Sequence, residues 1–289
     1  MSFEYHEPTS VREAVALGAR YGAQARFLAG GTDLLIQIRR GQLLPRHVVS
    51  LHRVPGLDAI EIDGMVTLGA RVTHRRLERA TQLRGGLQAL IESAEVVGGH
   101  QIRNVATVGG NIVNASPAAD VVPVLLALDA EVTCLGPDGE RTLPLEGFAS
   151  APGVTARRVD ELLTSVRFHR LPPHSATAFL KAGRRRAMEI ALVCVAVRLT
   201  LDASRERCLE ARIALGAVAP TALRARAAEG GLQGRPLTAE ALRDAGRAAA
   251  GEARPISDVR ASARYRASLV ATLVERALAR CGERIRRAA

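Results

Sequence analysis

The sequence predicts an α+β protein of two domains, and three patterns lead to that prediction. Between residues 26 and 51, two apolar stretches flank a glycine-rich loop and a helical pattern, which is typical of a βαβ unit. From residue 59 to 73, apolar residues alternate on both sides of a turn at Asp63-Gly64, which predicts a hairpin. After residue 174, three apolar stretches precede helical patterns, which predicts a three-stranded antiparallel sheet with helices.

The first domain is predicted to contain two lobes. A capping box at Ser10–Glu13 begins a helix that ends at Gly22. The small lobe is the βαβ unit and ends near residue 55; the hairpin then opens a larger lobe with a mixed or antiparallel sheet. The further elements expected in these two lobes are strands at 26–28 and 48–51, helices at 34–40, 77–83, 87–97 and 121–128, and strands at 131–135 and 141–143.

The boundary between the domains is predicted at Pro172 and Pro173, because adjacent prolines disfavour both helices and central strands. The prediction is a first domain over 1–173, with lobes at about 1–55 and 56–173, and a C-terminal domain over 174–289. The C-terminal elements are expected as strands at 176–182, 191–201 and 210–215 and helices at 221–228, 238–249 and 265–281.

Composition places the chain among ordinary globular proteins, with 47% hydrophobic and 24% charged residues. The formal net charge of +11 raises the possibility of a nucleic-acid partner. The basic residues are scattered and interleaved with acidic ones, and aromatic residues make up only 3%. Without a nucleic-acid-binding motif, this distribution argues against such a partner. A surface that docks an acidic partner subunit is the other interpretation of this positive charge.

Neither cysteines nor histidines form a recognisable metal or catalytic motif. Cys134, Cys194, Cys208 and Cys281 lie far apart without C-x-x-C spacing, so we expect buried free thiols and no iron–sulfur or zinc site made by this chain. No histidine pairs convincingly with a nucleophile, and no H-E-x-x-H occurs. The sequence therefore predicts no metal-binding and no catalytic residues.

No transmembrane segment is expected, because no apolar run approaches the roughly 20 residues that span a bilayer. The first six residues also lack the pattern of a secretion signal. We therefore expect a cytoplasmic protein.

Two glycine-rich loops carry the strongest functional signal. The first is Ala29–Leu35 (AGGTDLL) and the second is Thr107–Ile112 (TVGGNI), which continues through Ser116 to Asp120. Each follows a strand-like stretch, at 26–28 and 104–106, and precedes a possible helix, so the backbone N–H groups of both loops are expected to converge on one anion. A Gly-Gly pair alone is more often a simple turn. Two loops with similar small and hydroxyl residues favour a diphosphate-containing cofactor.

These loops resemble the FAD-binding subunit of molybdenum hydroxylases, as found in xanthine dehydrogenase and aerobic carbon monoxide dehydrogenase. The resemblance rests on FLAGGTDLL at 27–35, GGHQIRNVATVGGNIVNASPAAD at 98–120 and SDVRASARYR at 257–266, and it covers nearly the whole chain. It implies FAD as cofactor, an FAD-binding domain over 1–173 and a flavoprotein C-terminal domain over 174–289. His100 is expected to be structural, since the family binds FAD noncovalently.

The resemblance also implies which residues contact the cofactor. They are expected to supply pyrophosphate, hydroxyl and ring contacts. The residues are Leu28, Ala29, Gly30, Gly31, Thr32, Asp33, Leu34, Leu35, Val97, Thr107, Val108, Gly109, Gly110, Asn111, Ser116, Asp120, Leu163 and Lys181.

Several of these residues have equally ordinary interpretations. Asp33 is unsuited to bind an anion, so its carboxylate is expected to cap the following helix. Asp120 either accepts hydrogen bonds from cofactor hydroxyls or caps the helix at 121–128. Ser116 is a ligand or a turn residue, and Leu163 packs on the flavin or in the core. Lys181, the only lysine in the sequence, is expected to stabilise negative charge on the reduced ring.

One segment departs from the family pattern. After Lys181 the family often has a basic run followed by an acidic residue; here Arg184–Arg186 is followed by Glu189 where an aspartate is expected. Glutamate keeps the carboxylate of aspartate but places it farther from the backbone. The arginines are open to three interpretations: recruitment of an anionic acceptor, a subunit interface or a solvated surface.

The predicted function is an electron-transfer subunit that holds FAD between its first two lobes. By resemblance, a large molybdopterin-binding subunit oxidises the substrate, a small iron–sulfur subunit relays electrons, and FAD passes them to NAD, a quinone or oxygen. A stand-alone flavin reductase or oxidase is the alternative, and it predicts turnover by the isolated chain. A nonenzymatic basic assembly or nucleic-acid-binding module is the third, and it predicts salt-sensitive binding and no chromophore.

Overall fold

A computed structural model describes residues 2–185 and 187–288, and these residues divide into two compact units. Unit 1 comprises the chain up to Arg76, His100–Ala115 and Ala130–His169. Unit 2 comprises Leu77–Gly99, Ser116–Asp129 and the chain from Arg170 onward. Each unit is thus assembled from three separate segments of sequence. The predicted boundary at residue 173 stays a prediction.

The first sheet of unit 1 is parallel and contains the predicted βαβ unit. Its strands are β1 (Glu4–His6), β2 (Ala25–Leu28) and β3 (His47–Ser50), in the order β1-β3-β2. Helix α1 (Val11–Tyr21) precedes β2, and helix α2 (Leu34–Arg39) joins β2 to β3. Strand β1, an edge strand of three residues, is not predicted from the sequence.

The start of α1 is fixed by the predicted capping box. The Ser10 hydroxyl accepts a hydrogen bond from the backbone N–H of Glu13 at 3.1 Å, and the Glu13 carboxylate accepts one from the backbone N–H of Thr9 at 2.7 Å. The apolar face of α1, with Ala14 and Val15, packs on the sheet in a buried cluster with Val49. This packing holds the strand that leads into the first glycine loop.

The second sheet of unit 1 is antiparallel throughout and includes the predicted hairpin. Its order is β4-β5-β10-β6-β7. The ranges are β4 (Ile60–Asp63), β5 (Met65–Gly69), β6 (Glu131–Gly136), β7 (Gly139–Pro144) and β10 (Leu162–His169), with β8 (Ala149–Ala151) and β9 (Val154–Thr155) forming a separate pair. The central strand β10 was not predicted as a strand. Its register shifts between Leu163 and Ser165, and this irregularity breaks the period-two pattern that would have marked it.

The segment around the second glycine loop is helical, which corrects the sequence analysis. Residues 104–106 were expected to be strand-like, but α5 covers His100–Val105. The glycines themselves lie in α6 (Val108–Val113), whose first turn is capped by the Thr107 hydroxyl. The predicted helix at 77–83 is also divided, into α3 (His74–Glu78) and a single 3₁₀ turn at Thr81–Leu83.

Unit 2 has an antiparallel sheet covered by helices. The strands are β11 (Ser175–Ala182), β12 (Val193–Leu201), β13 (Cys208–Gly216) and the two-residue β14 (Leu223–Arg224), in that order. The first three are the predicted strands, and β14 is an additional edge. The helices are α4 (Gln88–Glu95), α7 (Val121–Ala127), α8 (Arg226–Leu232), α9 (Ala239–Glu252) and α10 (Ala263–Arg287). Helix α8 lies later than the helix predicted at 221–228.

Helix α4 and the residues before it are hydrogen-bonded to the sheet of unit 2, although they come from an earlier part of the sequence. The Thr177 hydroxyl on β11 accepts the backbone N–H of Ala89 at 3.1 Å, and the Glu92 carboxylate accepts the backbone N–H of Phe179 at 2.9 Å. Helix α7 also packs on β12 and β13. These contacts make α4 and α7 integral to unit 2.

The C-terminal motif at 257–266 has a structural role. Arg266 is buried and donates to the backbone carbonyls of Leu192 at 2.6 Å and Ala217 at 3.2 Å, and to the Asp258 carboxylate at 2.9 Å. Backbone N–H donation from Arg260, reinforced by Arg266, lowers the pKa of Asp258 to about 2. The motif therefore fixes the start of α10 to the ends of β12 and β13.

The predicted α+β fold class is confirmed: the chain mixes helices with sheets in a pattern that includes a C-terminal sheet domain. Within the residues that the structure describes, no helix is long and apolar enough to span a membrane.

Candidate functional site

The first glycine loop follows β2 and offers a run of backbone donors. In the part of the chain that the structure describes, no hydrogen bond from the backbone N–H of Gly30, Gly31, Thr32 or Asp33 is found. Gly31 has φ +72°, a conformation that glycine adopts without strain. Consecutive N–H groups at a turn that enters a helix form a binding site for an anionic group. The first loop therefore keeps the donor function that its sequence predicts.

Asp33 does not cap helix α2, which corrects the sequence analysis. It occupies the N-cap position with helical backbone angles, and its side chain makes no capping hydrogen bond. Desolvation raises the pKa of Asp33. The Asp33 carboxylate therefore lies at the loop and does not cap the helix that follows it.

The two glycine loops approach each other within unit 1. A Cβ atom on Gly30 would overlap the backbone oxygen of Val105 and lie 2.9 Å from the Cα of Ala106. These two residues immediately precede Thr107. Glycine is therefore required at position 30 because the backbone before the second loop occupies the space of a side chain.

Four backbone N–H groups of the second loop already donate hydrogen bonds within the protein, which corrects the expectation that both loops supply these donors to a ligand. The N–H groups of Val108 and Gly109 donate to the carbonyls of Val72 and Ala70, both at 2.9 Å. The N–H group of Gly110 donates to the Thr107 hydroxyl at 3.1 Å, and that of Asn111 to the Thr107 carbonyl at 2.9 Å. The loop can therefore offer side chains and a close approach of its backbone, while the N–H groups of Val108, Gly109, Gly110 and Asn111 are already used.

The side chain of Asn111 is the polar group that this loop presents. Its Oδ1 is buried and has no hydrogen-bond partner within the described residues. A buried amide oxygen without a partner costs about 1–3 kcal/mol, so a ligand donor at this position would remove that cost. Gly110, in contrast, is exposed, and a Cβ there would meet only the Thr107 hydroxyl, at 3.0 Å.

Sequence reasoning missed His74, which lies beside the second loop. Its backbone N–H donates to the carbonyl of Ala106 at 3.0 Å, and its side chain is buried. Burial, with a smaller contribution from Arg103, lowers the pKa of His74 to about 4, so the imidazole is neutral at pH 7. No motif in the sequence marks this histidine, because its position depends on the Thr73–Thr107 bridge between distant segments.

In unit 2, Lys181 and Asp120 form a buried ion pair. The Lys181 Nζ donates to Asp120 Oδ2 at 2.7 Å and to the Val96 carbonyl at 3.2 Å, and the two charged side chains are 9% and 8% exposed. Asp120 precedes α7 and makes no capping hydrogen bond, so its interpretation as a helix cap is wrong. The Val96 carbonyl is a second contact that sequence reasoning missed.

The carboxylate of Asp120 is only partly satisfied by this pair. Its Oδ1 is buried and has no partner in the described parts of the chain. Burial raises the pKa of Asp120 to about 6, although the Lys181 ammonium acts in the opposite direction. A ligand hydroxyl that donates to Oδ1 would stabilise the ionised form.

A cavity of about 340 Å³ adjoins Lys181 in unit 2. Val96, Lys181, Gly183, Arg184, Arg185 and Glu189 line it. Glu189, whose side chain is 7% exposed, contacts Arg184 at 3.7 Å and Arg185 at 3.1 Å, both through Nε. Its carboxylate thus organises the two arginines, which project toward solvent. Arg186, the third arginine of the run, lies outside the described residues.

The remaining predicted contacts have ordinary local environments. Leu163 is 3% exposed in β10, and the Ser116 hydroxyl accepts a hydrogen bond from the backbone N–H of Ala118 at 3.3 Å. Leu35 is 44% exposed on α2. Unit 1 holds the predicted residues from 28 to 35 and from 107 to 111 together with Leu163; unit 2 holds Val97, Ser116, Asp120 and Lys181. The site residues stay predictions.

Comparison with known proteins identifies the family. Residues 1–171 match the FAD binding domain in molybdopterin dehydrogenase, and residues 178–281 match the CO dehydrogenase flavoprotein C-terminal domain. The chain belongs to the FAD-binding subunits of the molybdopterin dehydrogenase family. It is an oxidoreductase subunit, and its cofactor is FAD.

Relatives match over almost their full length. The chain is 34% identical to the xanthine dehydrogenase FAD-binding subunit of Escherichia coli O157:H7, covering 95% of this chain and 94% of the relative. It is 33% identical to the carbon monoxide dehydrogenase medium chain of Hydrogenophaga pseudoflava, covering 96% and 98%. A solved structure of carbon monoxide dehydrogenase from the same organism superimposes with a TM-score of 0.93 at 34% identity, covering 98% of both chains.

The residues present fit FAD. Among the described residues, the buried side-chain oxygens without a hydrogen-bond partner are Asn111 Oδ1 and Asp120 Oδ1. Both belong to the residues that the sequence assigned to the cofactor. FAD carries hydroxyl and amino donors for such oxygens and a diphosphate for the N–H groups of the first loop.

Proposed function

We propose that this chain receives electrons from an iron–sulfur partner subunit and passes them through FAD to an acceptor such as NAD, a quinone or oxygen. The observation that carries the proposal is the pair of unpartnered buried oxygens, on Asn111 and Asp120, at predicted cofactor positions. FAD supplies the chemistry that joins one-electron and two-electron transfer. Similarity to a carbon monoxide dehydrogenase medium chain supports a role within a larger enzyme.

The residues of unit 1 are proposed to bind the diphosphate and a polar part of the cofactor. The free N–H groups of Gly30 to Asp33 donate to phosphate oxygens, and the N-terminus of α2 adds a favourable partial charge. The Asn111 amide oxygen accepts a hydrogen bond from a cofactor donor. Thr107 organises the loop through its hydroxyl and carbonyl, so its contribution to the cofactor is mainly indirect.

The residues of unit 2 are proposed to bind hydroxyl groups and to control charge. Asp120 uses Oδ2 to hold Lys181 and has Oδ1 available for a hydroxyl donor. The Lys181 ammonium, with two of its three N–H groups engaged by Asp120 and Val96, retains a donor beside the 340 Å³ cavity. A cation there favours the reduced flavin, because negative charge accumulates on the ring during reduction.

The proposed partners are a large molybdopterin-binding subunit and a small iron–sulfur subunit. The cysteines of this chain are buried, and burial raises the pKa of Cys134 and Cys208 to about 11. Such thiols are poor cluster ligands, which favours clusters held by a partner. Free thiols also persist in a reducing compartment, so the cytoplasm is the location we propose.

The cofactor part of the proposal is tested with Asn111→Ala and the matched exposed control Asn104→Ala. Both chains are purified without added flavin and their FAD content is measured by absorbance after denaturation; the FAD affinity of the flavin-free chains is then measured by fluorescence titration. We expect Asn104→Ala to keep the wild-type FAD content and Asn111→Ala to bind FAD at least about tenfold more weakly, the effect of one lost buried hydrogen bond. Equal FAD affinity in the two variants would contradict the assignment of Asn111.

The electron-transfer part requires the candidate partner subunits. The complete complex is reduced by its substrate, and flavin reduction is followed in stopped flow before NAD, a quinone or oxygen is added. We expect flavin reduction in the complex and none when the isolated FAD-loaded chain meets the same substrate. Substrate oxidation by the isolated chain would instead support the stand-alone reductase or oxidase.

A further inference from the structure

A cluster of metal-ligating side chains lies on the first sheet of unit 1, away from the glycine loops in sequence. Glu4 and His6 alternate on β1, so both side chains are on the same face. His47 begins β3 and stands directly opposite Glu4 in the parallel register. The strand pairing thus places two imidazoles and a carboxylate together, although His6 and His47 are 41 positions apart.

The donor atoms of this cluster face one another at distances that suit a single metal ion. His6 Nε2 lies 3.1 Å from His47 Nδ1, Glu4 Oε2 lies 3.4 Å from His47 Nδ1, and Glu4 Oε1 lies 3.7 Å from His6 Nε2. In a tetrahedral zinc site with bonds of about 2.0–2.1 Å, neighbouring ligand atoms are about 3.4 Å apart. The three observed distances, from 3.1 to 3.7 Å, are centred on that value.

The two histidine side chains of this cluster are packed and largely buried, whereas the glutamate is exposed, which suits binding of a metal ion from solution. Tyr21 of α1 stacks on the His47 ring, with ring centroids 3.6 Å apart and planes inclined by 12°. The His6 and His47 side chains are only 13% and 15% exposed, whereas Glu4 is 62% exposed. Two imidazoles are thus preorganised, and the carboxylate can rotate to bring one oxygen onto the ion.

We propose that Glu4, His6 and His47 form a binding site for a divalent late first-row transition metal, with Zn²⁺ as the expected ion. Two imidazole nitrogens and one carboxylate oxygen are a typical zinc donor set, and three protein ligands leave a fourth position for water. On binding, the metal replaces the hydrogen bond between the two facing imidazole nitrogens, and each ring stays neutral with its N–H on the other nitrogen, Nδ1 of His6 and Nε2 of His47. The ion joins the edge strand β1 to β3 and stabilises the sheet that leads into the first glycine loop.

No metal ligands are predicted from the sequence, and the fold explains why. Metal motifs are recognised by short spacings between ligands, and here the pairing of two strands replaces such a spacing. The proposed site contains none of the predicted FAD contacts. Metal binding and FAD binding can therefore be measured independently.

The first experiment uses the full-length, FAD-loaded chain without an affinity tag, stripped of metal with a chelator. Zn²⁺ is titrated in competition with a chromogenic chelator, and the unfolding temperature is recorded with and without Zn²⁺. We expect one Zn²⁺ per chain and an unfolding temperature that rises with zinc concentration, because a ligand that binds only the folded state stabilises it. The exposed His169→Ala variant is the control and should behave as wild type.

Two conservative variants test the ligands without removing the packing of the cluster. Glu4→Gln changes an exposed carboxylate to an amide, and His6→Gln keeps a hydrogen-bonding side chain beside His47. Each should lose at least about 100-fold in zinc affinity, the upper end of what an outer-shell change costs, with FAD content unchanged. Titration with Co²⁺ should also give the absorption bands of a tetrahedral ion in wild type, seen as a difference from Glu4→Gln.

The proposal would be overturned if Zn²⁺ bound with the same affinity to wild type, Glu4→Gln and His6→Gln, since binding would then be nonspecific. Failure of wild type to bind zinc while retaining FAD would also overturn it. Loss of FAD from wild type with zinc binding intact would contradict the proposed cofactor site alone.

Discussion

Replacing Asp120 with asparagine should change the pH dependence of stability in the FAD-free chain by a predictable amount. Burial raises the pKa of Asp120 from 3.8 to about 6 in the folded chain. A raised folded-state pKa means that the stability is fully present below pH 3.8 and is lost as the pH rises through about 6. At 1.36 kcal/mol per pKa unit, ionisation of this group costs the folded chain about 3 kcal/mol at pH 7.

Asp120→Asn imitates the protonated side chain and removes this titration. The stability of the variant relative to wild type should therefore increase by about 2 kcal/mol between pH 4 and pH 7, because part of the effect is already present at pH 4. The measurement is urea unfolding of the two FAD-free chains across that range, and the comparison cancels the titration of other groups. Asp138→Asn, at a side chain that is 91% exposed, is the control and should show no pH-dependent difference.

The same group should control FAD affinity. A cofactor hydroxyl that donates to Asp120 Oδ1 lowers the pKa of the bound state, so wild-type FAD affinity should rise as the pH increases toward about 6. If binding restores the ordinary pKa, the rise is up to about 100-fold. Fluorescence titration of FAD measures it, and Asp120→Asn should not show it. The role of Asp120 would be refuted if the stability difference between Asp120→Asn and wild type did not change with pH and the FAD affinity of wild type did not change with pH either.

Three further substitutions test the site and the fold. Gly109→Ala should destabilise the chain by about 1–3 kcal/mol, because its Cβ would lie 2.7 Å from both the oxygen and the Cβ of Ala70, whereas Gly110→Ala should remain folded; equal urea midpoints would contradict the packing argument. Lys181→Met should lower the flavin reduction potential, because a cation that favours the reduced state is lost; an unchanged potential in spectroelectrochemical titration would place the lysine away from the ring. Arg266→Met should cost about 3 kcal/mol or more in urea unfolding, because the carbonyls of Leu192 and Ala217 lose their guanidinium donor and Asp258 loses its charged partner; a loss below 1 kcal/mol would contradict the structural role of the C-terminal motif.

The sequence predicted those elements whose signals are local. The capping box at Ser10–Glu13 located α1, and the alternation around Gly64 located the β4–β5 hairpin. Strand β10 was missed because its register shift disturbs the alternation, and α5 was misread because a short run of apolar residues does not distinguish strand from helix. Local patterns thus identified most elements and failed where pairing with distant strands decides the conformation.

The candidate site shows the same limit in chemical terms. The motif located both loops, but it could not show that the N–H groups of residues 108–111 in the second loop are already engaged by Ala70, Val72 and Thr107. It also could not show that Asp120 pairs with Lys181, 61 positions later. Such contacts depend on segments brought together by the fold, so residue type and spacing alone predict the ligand class better than the role of each group.

The interleaving of the two units along the sequence has a practical consequence for dissecting this protein. A fragment that begins near residue 174, where the family domains meet, would contain the strands β11 to β13 but would lack α4 and α7, which cover them. Deleting these helices would expose an apolar sheet to water and leave donors such as the N–H group of Phe179 without Glu92. Splitting the gene at that point should therefore yield insoluble halves when they are expressed separately, and recovery of a soluble protein should require both polypeptides to be synthesised together.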